Sequence, residues 1–202
     1  MTHHPLHRLA LLATVLLVAA WSLAGPAHAY SYAAAGAEPL IDHREALLGA
    51  VAKGDWAAAE TAYQPMKADI DYLDKNEDAG IAKVFADAMA AKNAQGVRAA
   101  LMRAYADEIE RRLRGARDNI KDYQTAKVLV VKAQRFYTAM AGDLEPATRK
   151  TVDDTLKKAL DAIGNPGVFG FGQKAPDPAA FAKAHDTIHA ALADVGRKPP
   201  PT

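Results

Sequence analysis

The chain has 202 residues, with 25 Lys and Arg against 24 Asp and Glu, 7 His and no Cys. Half of it is hydrophobic but only 7% is aromatic, so alanine carries much of the apolar count; this is ordinary globular composition, not disordered, collagenous or disulfide-stapled. Without cysteine there is no disulfide, no thiolate nucleophile and no Cys-ligated zinc or iron–sulfur cluster, and a formal charge of +1 gives no basic field for nucleic acid.

Residues 1–29 read as a cleaved secretory signal peptide. Arg8 supplies the positive n-region, Leu9–Ala24 is uncharged, Gly25-Pro26 breaks it, and Ala27-His28-Ala29 is an A-x-A cleavage site. The apolar stretch falls short of the ~20 residues of a spanning helix, and no later segment is apolar enough to cross a membrane. An uncleaved anchor is the alternative; a lipidated cysteine is excluded. The mature chain keeps three histidines, His43, His185 and His189. A bacterial periplasm is the expected compartment, where a cysteine-free chain avoids unwanted oxidation.

Beyond residue 30 the apolar period stays near 3.6, so the spacing predicts one all-α domain over 30–196 and a frayed tail over 197–202. Glu38–Lys53 forms the first helix, stopped by Gly54. Asp55 caps a second to about Asp74, kinked at Pro65. Asn76 is expected to cap a third, with Glu77 and Asp78 in its first turn and Ile81, Val84, Phe85, Ala88 and Met89 on its buried face. It ends near Asn93. A fourth helix covers Gly96–Lys121 and a fifth Tyr123–Ala141, the break at 119–122 being a weak stop that one long helix would also accommodate. Pro146 opens a sixth. A glycine-rich loop, Gly164–Gly172, then leads to a last helix over Pro178–Val195. The fold expected is an antiparallel bundle of four to six helices after the signal peptide.

Five places carry chemistry. His185 and His189 sit at i and i+4, which puts both imidazoles on one helix face as a metal pair requires; the plainer alternative is one half-buried histidine bonded to backbone and one at the boundary. His43 completes such a site if the terminal helices meet. Glu108 and Arg112 fall inside the apolar arc drawn by Val97, Leu101, Tyr105, Ile109 and Ala116, whereas Asp107, Glu110 and Arg111 fall outside it or at its edge. Glu108 is then either a metal-binding or proton-handling carboxylate held charged by Arg112, or half of an edge ion pair. Asp71, Asp74 and Asp78, with Asp69 and Glu77 nearby, make an acidic stripe of hard oxygens, or a solvated, capping face. Tyr123, Phe136 and Tyr137 are core residues or redox phenols. The Asn165–Gly172 loop either approaches a ligand or plugs the bundle end with Val168, Phe169 and Phe171; it is neither a Walker loop nor a dinucleotide fingerprint. No nucleophile–base pair, twin Glu-x-x-His or basic aromatic stripe emerges, so neither an enzyme nor a nucleic-acid binder is expected.

The run Ala52-Lys53-Gly54-Asp55-Trp56-Ala57-Ala58-Ala59-Glu60-Thr61-Ala62-Tyr63, continuing through Ile81–Met89 to the helix at Val97–Leu113, resembles the helical periplasmic region of bacterial high-affinity iron permeases. The likeness spans Glu45–Leu113. The membrane helices and R-E-G-L-E motifs of those permeases are missing here. The resemblance implies a free-standing relative that binds iron or another divalent metal, or docks on a membrane transporter or other periplasmic protein. Trp56 and Tyr63 map as packing positions, and no liganding residue of the family maps onto this chain. The expectation is thus a periplasmic binding or accessory protein linked to metal uptake, with His185, His189, Glu108 and His43 as candidate ligands. The alternative is a ligand-free adaptor bundle presenting a helix face to a partner.

Overall fold

Four helix starts in this chain obey one rule: a short polar side chain just outside the helix accepts a first-turn amide. Asp55 accepts from Ala58 N at 3.0 Å, Asn93 from Gly96 N at 3.0 Å, Asp122 from Gln124 N at 3.1 Å and Asp177 from Ala180 N at 2.9 Å. In the computed structural model, which describes residues 36–167 and 171–197, these caps open α3 (Trp56–Tyr63), α6 (Ala94–Asp118), α7 (Tyr123–Met140) and α9 (Pro178–Leu192). The remaining helices are α1 (Pro39–Asp42), α2 (Arg44–Ala52), α4 (Lys67–Asn76), α5 (Ile81–Ala90) and α8 (Pro146–Ala162). Among the described residues regular structure is helical, apart from one isolated antiparallel bridge between Asn165 and Lys174. None of these helices is long and apolar enough to cross a membrane. The signal-peptide reading of residues 1–29 and the tail from 198 lie outside the described residues.

Several boundaries differ from expectation for physical reasons. The first helix breaks at His43 into α1 and α2, because Glu38 N bonds the Asp42 carboxylate and closes a single turn. Pro65 does not merely kink its helix: a 3-10 turn, Gln64–Met66, separates α3 from α4. Asn76 caps nothing. It is the last residue of α4, and its amide donates back to Tyr72 O at 2.8 Å. The cap comes instead from Asp74, which accepts from Gly80 N at 2.8 Å and Ala82 N at 3.1 Å. Gly80 has φ +96°, a left-handed turn that glycine enters without strain, and it swings the chain into α5. Asn119–Asp122 is a true break, so α6 and α7 are separate.

From Glu38 onward the chain forms one unit with a single apolar cluster. The most extensive packing joins α6 to α7 and α8 to α9, followed by α2 on α3 and α5 on α6. Small residues let α6 and α7 approach: Ala116, Ala126 and Ala133 are fully buried, and a Cβ on Gly115 would lie 3.3 Å from Leu129. Phe85, Tyr105, Phe136 and Phe181 fill the centre without exposure. Full burial of a side chain of this size contributes about 1.5–3 kcal/mol. Phe171 is 84% exposed, so it does not plug the bundle end as expected. The loop is closed by the paired amides of Asn165 and Lys174, each bonding the other's carbonyl at 2.8 Å; Val168 and Phe169 lie outside the described residues.

Candidate functional site at the groove between α6 and α9

α6 packs against α5, α7 and α9 and also meets α2 and α4. A helix surrounded this way buries more than one stripe, so its polar residues need partners from neighbouring elements. Glu108 is 3% exposed, as the projected arc requires, and Arg112 is 8% exposed. The two form the expected i, i+4 pair at 3.1 Å. The set is larger than expected, however. Arg111 grips Glu108 at 2.8 and 2.9 Å, Arg112 reaches Glu38 at 3.0 Å, and Lys132 on α7 reaches Glu38 at 2.8 Å. Arg112 also lies over the Phe136 ring and Arg111 over that of Tyr72. Asp69 faces the same group: burial and the Glu108 and Glu38 charges push its carboxyl above the usual range against the pull of Arg111 and Arg112. Glu108 therefore spends its lone pairs on two guanidinium groups. It is not positioned with the histidines.

The histidines do converge, on a carboxylate that the helical projection had set aside. Glu110, on the α9-facing side of α6, binds His185 Nε2 through Oε1 at 2.9 Å and His189 Nδ1 through Oε2 at 3.1 Å. The expected backbone partner of His185 is replaced by this side chain. His185 is buried and His189 exposed, so the pair runs from the bundle interior to its rim. The buried Nδ1 of His185 has no hydrogen-bond partner. Burial acts to raise the Glu110 pKa, but the hydrogen bond and charge of His185, with those of His189, outweigh it and hold the carboxyl below its ordinary range. Beside this trio lies a groove of about 290 Å³ with a floor of Ala106, Ile109, Ile188 and Leu192. Asp107, Glu110, His189 and Arg197 supply its polar walls.

The other candidates have structural partners. His43 sits between α1 and α2 and makes no bond to His185 or His189; the main neighbours of α9 are α8 and α6. The acidic stripe is spent on cations and amides: Asp71 on Lys67 at 2.8 Å, Asp74 on the α5 entry, Asp78 on Arg103, and Glu77 on Arg114 at 2.6 Å. Tyr137 donates to Arg149 O at 3.0 Å, Phe136 is core, and Tyr123 lies under Lys127. Among the described residues, no three or more His, Asp or Glu side chains converge as a ready metal cluster. The residues missed from sequence are Glu110, Asp107, Glu38 and Lys132. An i, i+4 histidine pair does signal that an acceptor is needed, but nothing in the sequence says which helix supplies it.

Comparison with known proteins adds no relative: no family model, curated protein or solved structure matches this chain.

Proposed function

We propose that this protein is a periplasmic helical-bundle binding or accessory protein, and that its ligand site is the α6–α9 groove at Glu110, His185 and His189. One observation carries the reading: two imidazoles from one helix grip both oxygens of one carboxylate from another, beside an apolar groove. Imidazole and carboxylate are the donor types that iron and other first-row divalent metals accept. Each imidazole bonds a different oxygen, at 2.9 and 3.1 Å, and the trio is not pre-arranged around one ion, so capture requires both rings to turn onto a shared metal. An ion entering there takes the place of the hydrogen-bonded protons, each neutral ring carrying its proton on the other nitrogen, and because a ligating imidazole must be uncharged, capture weakens as pH falls. The link to metal uptake rests in addition on the permease-like run at 45–113.

The test is a metal titration of the mature chain with Fe²⁺, Zn²⁺, Cu²⁺ and Mn²⁺, followed by desalting and elemental analysis. The expected result is one equivalent of metal retained, lost in His185→Ala with His189→Ala while helicity is kept. No metal above background refutes the reading. An adaptor role is then favoured by the exposed Val128 and Val131 on α7, beside a shallow hollow that Ile41 and Val131 share.

A further inference from the structure

Arg197 was expected to begin a frayed tail, and it does the opposite. Its guanidinium donates from Nη2 to Asp107 Oδ1 at 2.7 Å and to Asp78 Oδ2 at 2.9 Å, and from Nη1 to Ala193 O at 3.2 Å. Next to it, Gly196 has φ +70° and lies flat on α6. A Cβ there would stand 2.3 Å from Ala99 O and 2.6 Å from Arg103 N, a fit only glycine permits. The turn after α9 is thus seated on α6 by a backbone contact and an ion cluster. Three separate parts of the chain meet in that cluster: the α4–α5 connection through Asp78, the middle of α6 through Arg103 and Asp107, and the C-terminal turn through Arg197.

The cluster is two carboxylates against two guanidinium groups, with one anomaly. Asp107 is buried, and its Oδ2 has no hydrogen-bond partner. Its Oδ1 and the Asp78 Oδ2 meet the same nitrogen, Arg197 Nη2, at 2.7 and 2.9 Å, so two carboxylates crowd one donor. Two ionised carboxylates this close repel, and the buried one, with an oxygen that no donor satisfies, gains most from a proton. A proton on Asp107 answers both the orphaned oxygen and the repulsion, while Arg103 keeps Asp78 ionised.

We propose that Asp107, Asp78 and Arg197 form a proton-dependent latch that holds the C-terminal turn on α6 and closes one end of the α6–α9 groove. The latch stands on this geometry whether or not the groove takes a ligand. Burial first, and the neighbouring Asp78 carboxylate with it, push Asp107 up to about 7 against the pull of Arg197. Asp78 lies below its ordinary range, chiefly through its bond to Arg103. Asp74 and Asp107 are the other charges that face Arg103, Asp194 lies in the turn itself, and Glu110 with His189 lies one helical turn along. Opening the turn uncovers Asp107 to water, where a carboxyl ionises more readily. The closed form therefore binds the extra proton, and raising the pH favours the open form, by up to tenfold per unit below the closed-state pKa and levelling off above it.

The experiment follows the backbone order of Val195–Arg197 by ¹⁵N relaxation from pH 5 to 8.5 in the full mature chain. In the wild type the turn should be ordered at pH 5 and loosen through neutrality, with the open population rising at least tenfold. Asp107→Asn keeps an acceptor for Arg197 and cannot ionise, so its turn should stay ordered at every pH. Arg197→Gln should be loose throughout, with the helices intact by circular dichroism. A wild-type turn equally ordered at both ends of the range, or an Asp107→Asn chain with the same transition, overturns the latch.

Discussion

The buried ions around Glu108 make the sharpest test of how this bundle is held. Glu108→Gln keeps the shape of the side chain and one acceptor oxygen but removes the charge that faces Arg111 and Arg112. Glu38 is then the one carboxylate in direct contact with that cluster, bonded to Arg112 at 3.0 Å and Lys132 at 2.8 Å. Removing one partner from a buried pair costs about 3–5 kcal/mol, because the remaining charge stays desolvated. Two details place the value at the lower end. Arg112 keeps Glu38, and the Arg111 side chain, 24% exposed, has a path to water. The expected loss is therefore about 3 kcal/mol. With a urea slope of about 2 kcal/mol per molar, the midpoint should fall by about 1.5 M at unchanged slope. Glu108→Leu combined with Arg112→Met should lose less than the two single changes summed, since each removes the other's unpaired charge. A midpoint within about 0.3 M of wild type for Glu108→Gln would refute the claim that the ion pairs answer one another's burial.

Two further outcomes follow from the same geometry. Phe85 is fully buried and stacks on Tyr63 with ring centroids 5.4 Å apart, so Phe85→Ala should cost about 3–5 kcal/mol, read as a fall in thermal midpoint of roughly 10 °C; a shift of a degree or two would mean that the α3–α5 contact is not core. Glu110 titrates below its ordinary value of 4.5, so its ionised form stabilises the fold above that pH, and the contribution is lost as pH falls through the lowered value. Glu110→Gln should therefore destabilise the protein at pH 6 more than at pH 3, measured by urea unfolding at both; an equal loss at the two pH values would show that the histidine contacts add nothing.

Periodicity exposed the helices because each carries a wide apolar face. Phe181, His185, Ile188 and Leu192 are all buried on α9, as their spacing requires, and so are Ile81, Phe85 and Ala88 on α5, whereas Val84, placed on the same face by its spacing, is exposed. Periodicity failed at the ends where a cap comes from an unexpected place. Nothing in the stretch Asp74–Gly80 distinguishes Asn76 from Asp74 as the capping side chain until the turn at Gly80 is built. The site was legible in part for a similar reason. A helical projection ranks residues by angle around one arc, so it placed Glu108 and Arg112 inward. It put Asp107 and Glu110 outside because α6 has a second covered face, the one against α9, and a projection of α6 alone carries no record of it. The partners of these residues lie far away in sequence, at Glu38, Asp78, His185 and Arg197.

That second face explains why so many charges sit on a helix at the centre of a bundle. Along α6, Arg103 pairs with Asp78, Asp107 with Arg197, Glu110 with His185 and His189, Arg112 with Glu38 and Arg114 with Glu77. The five reach four neighbours: the α4–α5 connection through both Asp78 and Glu77, the C-terminal turn, α9 and the chain before α1. Alanine-rich seams bury area but discriminate poorly between registers, since sliding by one turn sets one small side chain against another. An ion pair loses its partner on the same slide, at a cost of several kcal/mol when buried. The charges of α6 thus fix how its neighbours are positioned, while the alanines supply the close packing. Glu110 and Asp107 are the members of the series that also line a groove, so protonation of those two side chains acts on the seat of α9 and of the turn that follows it.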